Sequence, residues 1–116
     1  NDALLGEADE VVNNIACMVG LARQHKIYPV IMLPTPCVEP LESVLADIRR
    51  DIYRYAQKES VNIIDFSDCM ADSRSGRFKQ ELFFDGVHPN KEGYRVMAEF
   101  IIQKFNNVVT SPVHNL

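Results

Sequence analysis

The stretch Tyr28-Pro29-Val30-Ile31-Met32-Leu33-Pro34-Thr35-Pro36 decides how this chain is built. Val30 to Leu33 is a short, wholly apolar run, which reads as a strand buried on both faces. Pro29 is tolerated because it opens the strand, where a missing N–H costs nothing. Pro34-Thr35-Pro36 stops it. Toward the N-terminus, Val11, Val12, Ile15, Met18, Val19 and Ala22 recur at helical spacing, predicting an amphipathic helix from Glu7 to about Arg23. His25 and Lys26 follow its end, where positive groups complement the helix dipole, so His25 reads as a helix-end residue rather than a catalyst.

Toward the C-terminus the same alternation repeats. Leu41, Val44, Leu45, Ile48, Ile52 and Tyr55 make a second helical stripe from Pro40 to Lys58. Val61 to Phe66 is a second strand, with Ile63 and Ile64 at its centre. The long connection from Ser67 to Asn90 is expected to hold a helical turn near Phe78 to Phe83, and loops of this length are usually functional or mobile. Tyr94, Met97, Ala98, Ile101, Ile102 and Phe105 mark a last helix with Asn90 as its N-cap. From Asn106 onward the tail is polar and is expected to be loosely held, with His114 a bystander.

Helix–strand–helix–strand–helix is an α/β pattern: a three-layer αβα sandwich around a parallel sheet. Two strands are too few for such a sheet, because the inner edge would present unpaired backbone groups. The chain also opens at Asn1-Asp2 without a methionine. We therefore expect residues 1–116 to be part of a longer protein, an incomplete α/β sandwich with a missing half.

Composition narrows the function. An apolar content of 47% is ordinary for a globular domain, and no apolar run approaches the length needed to span a bilayer. Twelve Lys and Arg against 16 Asp and Glu give a net charge of −4, which argues against a nucleic-acid partner. Cys17, Cys37 and Cys69 match neither a disulfide framework nor a C-x-x-C zinc pattern. They read as buried free thiols, which favours a reducing compartment such as the cytoplasm.

The chemistry concentrates in Asp85-Gly86-Val87-His88-Pro89. His88 precedes a proline and is pushed out of the helical region, while Gly86 opens positive φ, so Asp-Gly reads as a turn. Such a turn folds the Asp85 carboxylate back onto the His88 ring, where it would fix the tautomer and stabilise the imidazolium. Asp85 and His88 are accordingly the candidate catalytic residues. No further His, Cys or acidic cluster stands at ligand spacing, so no metal and no cofactor is expected. Phe83 and Phe84 are expected to pack the turn onto the core, and Phe84 and Val87, which neighbour the pair, are the candidate substrate-binding residues. Arg49, Arg50 and Asp51 read as a solvated helix face. Arg74, Arg77 and Lys79 lie in the loop before the turn, which reads as mobile surface. None of Ser43, Ser60, Ser67, Ser73, Ser75 or Ser111 sits on a glycine-bearing turn between strand and helix, and Phe66-Ser67-Asp68 reads as a cap. Cys37 reads as a packed cysteine.

Asp85-Gly86-Val87-His88-Pro89-Asn90 followed by Gly93-Tyr94 resembles the last block of the SGNH hydrolases, also called GDSL esterases and lipases. Asn1-Asp2, leading into a helix and a strand ending in Pro34-Thr35-Pro36, is similar to the end of that family's Gly-x-Asn-Asp block. The resemblance implies a flavodoxin-like α/β fold and hydrolysis of a small acyl or acetyl ester, with residues 1–116 the C-terminal portion of a single domain whose sheet is completed by an upstream segment or a second chain. It assigns Asp85 and His88 to the catalytic triad and the Asn1 side-chain amide to the oxyanion hole. The serine nucleophile and the oxyanion glycine would lie upstream of Asn1, so these 116 residues alone are expected to be inactive. The contrasting expectation is a non-catalytic α/β module that keeps the turn for packing and binds a partner at its sheet edge.

Overall fold

A computed structural model describes residues 8–110. Its elements run α1 (Ala8–Gln24), β1 (Val30–Met32), α2 (Leu41–Glu59), β2 (Asn62–Ile64), α3 (Ser67–Met70), a 3-10 turn (Gln80–Leu82) and α4 (Lys91–Thr110). β1 and β2 pair in parallel as a two-stranded sheet. The chain divides into two compact units, one holding residues up to Pro34 with Glu39–Ile63, the other Thr35–Val38 with residues from Ile64 onward.

In the first unit, the two helical stripes and the strand cores meet. Val19 of α1, Ile31 and Leu33, Ile48, Ile52 and Ala56 of α2, and Val61 are buried together, with Val11, Val12, Ile15, Tyr55 and Ile63 packed against them. Each fully buried Ile or Val contributes about 1.5–3 kcal/mol relative to exposure. α2 begins after Pro40, and its cap is supplied by Glu39, whose Oε1 accepts from the Ser43 N–H at 3.0 Å and the Ser43 hydroxyl at 2.6 Å. It ends at Ser60 in left-handed backbone (φ 57°), and Arg23 of α1 donates to the Glu59 carbonyl at 2.7 Å. His25 Nδ1 lies 3.0 Å from the Leu21 carbonyl at the end of α1, so it caps its own helix.

Three expectations need correction here. Arg49 is not solvated: its side chain is 11% exposed, forks onto both Glu42 oxygens at 2.7 and 2.9 Å, and donates from Nε to the Pro34 carbonyl at 2.7 Å. A guanidinium presents several donors in one plane, so it can hold a carboxylate and a strand-end carbonyl together, which a solvated-face reading overlooks. Cys17 is exposed and Cys69 only partly covered; Cys37 alone of the three is buried. Cys17 follows the inward-facing Ile15 by two positions, which turns it toward the opposite helix face. The strands are also shorter than the apolar runs, because Leu33 and Val61 are buried without joining the ladder.

In the second unit, Cys37, Ile64, Phe66, Met70, Leu82 and Phe83 are buried. Asp65 accepts from the Ser67 N–H at 2.9 Å, which starts the single-turn α3 where the sequence reads as a cap. The chain then doubles back: Ala71 bridges Phe78, and Asp72 closes the intervening loop through its Oδ1, which accepts from the N–H groups of Arg74 and Ser75. Those two donors hold the Asp72 carboxyl below its usual range. The helical turn expected near Phe78 to Phe83 is the 3-10 turn, and Phe78 meets Phe83 edge-on at 5.1 Å. α4 continues to Thr110, so the polar segment after Asn106 is helical over residues 106–110 rather than a tail. Of its expected stripe, Met97 and Ile101 are half-buried while Tyr94, Ala98, Ile102 and Phe105 are exposed.

Candidate active site

Residues 83–90 form a closed loop between the 3-10 turn and α4. Phe83 and Pro89 make an antiparallel bridge, and the Phe84 N–H donates to the His88 carbonyl at 2.8 Å. Asn90 seals the exit. Its Oδ1 accepts from the Gly93 N–H at 2.8 Å as an N-cap, its Nδ2 donates to the Glu81 carbonyl at 2.9 Å, and its own N–H donates to the Leu82 carbonyl at 2.9 Å. Gly93 is required by this closeness, because a Cβ there would lie 2.2 Å from the Leu82 carbonyl oxygen.

Within the loop, Asp85 uses both carboxylate oxygens. Oδ1 accepts from the N–H groups of Val87 (3.0 Å) and His88 (2.8 Å), and Oδ2 lies 2.8 Å from His88 Nδ1. The backbone N–H of His88, then its ring, then the N–H of Val87 hold the Asp85 carboxyl well below the usual carboxylate range. An ionised carboxylate can only accept, so the proton between the two groups sits on Nδ1. In the neutral ring, Nε2 is then left with its lone pair. The His88 side chain is 71% exposed and that of Asp85 53% exposed, and Nε2 has no hydrogen-bond partner among the described residues. The arrangement can therefore take up a proton at Nε2 while the carboxylate steadies the resulting cation.

Gly86 sits at the tip with φ +81°, a conformation that L side chains rarely adopt. Two neighbours that sequence reasoning missed bear on it. The Val38 N–H donates to the Gly86 carbonyl at 2.8 Å, and a Cβ on Gly86 would lie 3.1 Å from the Val38 Cβ and 3.6 Å from the Phe78 ring. Neither residue carries a motif; the glycine was the one signal that something approaches closely.

The remaining candidates are placed unevenly. Phe84 projects outward, 84% exposed, and Val87 is half-covered. Neither lines the two grooves described, of about 510 and 360 Å³, which lie in the other unit beside Asp9, Asn13 and Arg54 and beside Ile15, Met18 and Ile31. Of the two phenylalanines expected to pack the turn onto the core, Phe83 is buried and Phe84 is not. Arg74 and Arg77 are exposed, on the loop that Asp72 closes. Asn1 lies outside the described residues, as do Ser111 and His114. Among the described residues, no serine is hydrogen bonded to His88, no group of His, Cys, Asp and Glu could hold a metal ion, and no helix is long and apolar enough to cross a membrane.

Residues 1–96 match the model of the GDSL-like lipase/acylhydrolase family. Among solved structures, a GDSL-like lipase from Bacteroides thetaiotaomicron superposes with a TM-score of 0.75 at 23% identity, covering 87% of this chain and 53% of that one. A protein of the G-D-S-L family from Desulfitobacterium hafniense gives 0.79 at 24% identity, covering 88% and 58%. A member of the lipolytic protein G-D-S-L family from Veillonella parvula gives 0.73 at 28% identity, covering 91% and 58%. The chain thus spans little more than half the length of these structures. No curated protein matches it in sequence.

Proposed function

Since the chain belongs to the GDSL-like lipase/acylhydrolase family and has its α/β fold, we propose that it supplies the acid and base of a serine ester hydrolase. The observation that carries this reading is the 2.8 Å contact from Asp85 to His88 Nδ1, with the Nε2 edge of the ring open. His88 Nε2 takes the proton of a serine hydroxyl as that oxygen attacks the ester carbonyl, and Asp85 balances the imidazolium. His88 then gives the proton to the departing alcohol, leaving an acyl-serine. Water then attacks the acyl carbon while Nε2 takes its proton; the bond to the serine oxygen breaks, Nε2 returns the proton to that oxygen and the acid leaves.

The serine is expected outside the described residues, within the rest of the family's domain. As the asparagine of the Gly-x-Asn-Asp-like block that Asn1-Asp2 resembles, Asn1 donates its side-chain amide to the oxyanion. Losing one such donor typically costs about 10²–10³ in rate. Phe84 and Val87 offer apolar surface beside the pair to a small acyl group. No step calls for a metal or an organic cofactor.

Steady-state hydrolysis of a short p-nitrophenyl ester by the full-length protein tests the proposal. His88→Ala should abolish turnover, and Asp85→Asn should lower kcat by about 10³–10⁴ through loss of the right tautomer. The 116 residues alone should turn over negligibly. An inactive full-length protein, or one whose activity survives His88→Ala, refutes the reading.

A further inference from the structure

We infer that the backbone N–H of Val38 is a positioning group for this reaction: it holds the tip of the 85–88 turn so that His88 Nε2 meets the reacting hydroxyl. The inference rests on the ester-hydrolase reading above.

The Asp85–His88 pairing is a local property. Both Asp85 oxygens and the N–H groups of Phe84, Val87 and His88 are satisfied within residues 84–88. Nothing in that set decides where the turn as a whole points. The Gly86 carbonyl is different. Its partner is the Val38 N–H at 2.8 Å, and among the described residues this is the one hydrogen bond joining residues 84–88 to a segment distant in sequence. The donor is itself well anchored, because Pro36 and Cys37 just before it are buried.

Packing acts at the same point. A Cβ on Gly86 would press to 3.1 Å from the Val38 Cβ, closer than ordinary van der Waals contact. The turn is thus held at its two ends, by the Phe83–Pro89 bridge and the Asn90 contacts, and at its tip by Val38. Releasing the tip would let the loop rock about its ends and carry the imidazole with it, while Asp85 keeps its grip. Catalysis is sensitive to such shifts, since a misplacement of about 1 Å can cost 10²-fold.

The test replaces Val38, in the full-length protein, by its α-hydroxy acid analogue. That exchange keeps the side chain and replaces the N–H by an ester oxygen, which cannot donate. We expect kcat to fall about tenfold or more with KM within about twofold. The Asp85 carboxyl, followed by carbon NMR, should titrate as in the wild type. Val38→Ala, which keeps the N–H, should stay within about threefold of wild-type kcat. An unchanged kcat in the hydroxy acid variant overturns the inference. So does an Asp85 that titrates in the ordinary range there, because the pair itself has then come apart. An equal loss in Val38→Ala also overturns it, by assigning the effect to the side chain. A wild-type protein inactive on esters sinks the function reading and this inference with it.

Discussion

At the scale of single residues, Asp85 shows how much chemistry a turn can hold without burial. Its carboxylate is more than half exposed, so Coulombic attraction alone is weak there; three N–H donors converging on it do the work. The consequence is testable by pH. A free aspartate titrates near 3.9, and the folded value lies below that, so between the two the unfolded chain binds more protons. Stability from this group is fully present above the unfolded value and is lost as pH falls toward the folded one. Carbon NMR should find the Asp85 carboxyl still ionised at about pH 3, where an ordinary aspartate is mostly protonated. A midpoint near 3.9 would show that the donors do not converge in solution. Gly86→Ala should disturb the turn from two directions, through positive φ and through the 3.1 Å approach to Val38. We expect a loss of at least about 1 kcal/mol by denaturant unfolding, since such backbone strain is worth of order 1–3 kcal/mol. This part of the site was legible, because Asp-Gly and His-Pro each restrict the backbone by rules that need no tertiary context. Val38 was not, because a backbone N–H can be lent by any residue except proline.

At the scale of elements, helices were easier to place than their surroundings. Apolar spacing in α1 and α2 located them to within a residue or two, since Val19, Ile48 and Ile52 face the core that their periodicity implies. α4 misled more. Tyr94, Ala98, Ile102 and Phe105 fall at helical spacing yet lie exposed, because periodicity reports that a face is apolar and not what covers it. Arg49 misled in the opposite sense: its charge hid a bracing role that only the Glu42 fork and the Pro34 carbonyl reveal. Replacing Arg49 with Met should therefore cost about 1–3 kcal/mol, because the partly buried carbonyl and carboxylate lose their donors. An exposed arginine would have cost almost nothing, so a loss below about 0.5 kcal/mol in chemical denaturation would return Arg49 to the solvated face. Asn90→Ala should cost about 1 kcal/mol for its cap alone. It also frees the Glu81 carbonyl, and Asn90→Asp, which keeps the Gly93 contact but not that donor, separates the two contributions.

For the whole molecule, the deciding quantity is the apolar surface left exposed among the described residues. Met18 and Leu21 of α1, Ile27 in the connection that follows it and Met32 of β1 are each more than half exposed, all within one compact unit. One groove is lined by Ile15, Val19, Ala22 and Ile31 with Met18 and Met32, so these two exposed methionines belong to one apolar surface rather than being scattered points. Isolated apolar residues on a surface are ordinary; a contiguous patch marks a place of association. The sheet argues the same way. Among the described residues it has two strands of three residues each, and each strand has one edge without a ladder partner. A sheet of that size contributes little stability unless something packs or pairs with it. The 116 residues in isolation should therefore self-associate as concentration rises, and bind a dye that reports exposed apolar surface. Light scattering coupled to size exclusion, run across a hundredfold range of concentration, measures the first directly. Introducing charge at the patch, as in Met18→Lys with Met32→Lys, should restore a monomer if association proceeds through this face. A parent chain that is already monomeric at every concentration and unfolds in one cooperative step would show that the patch is tolerated surface, and that the two strands suffice.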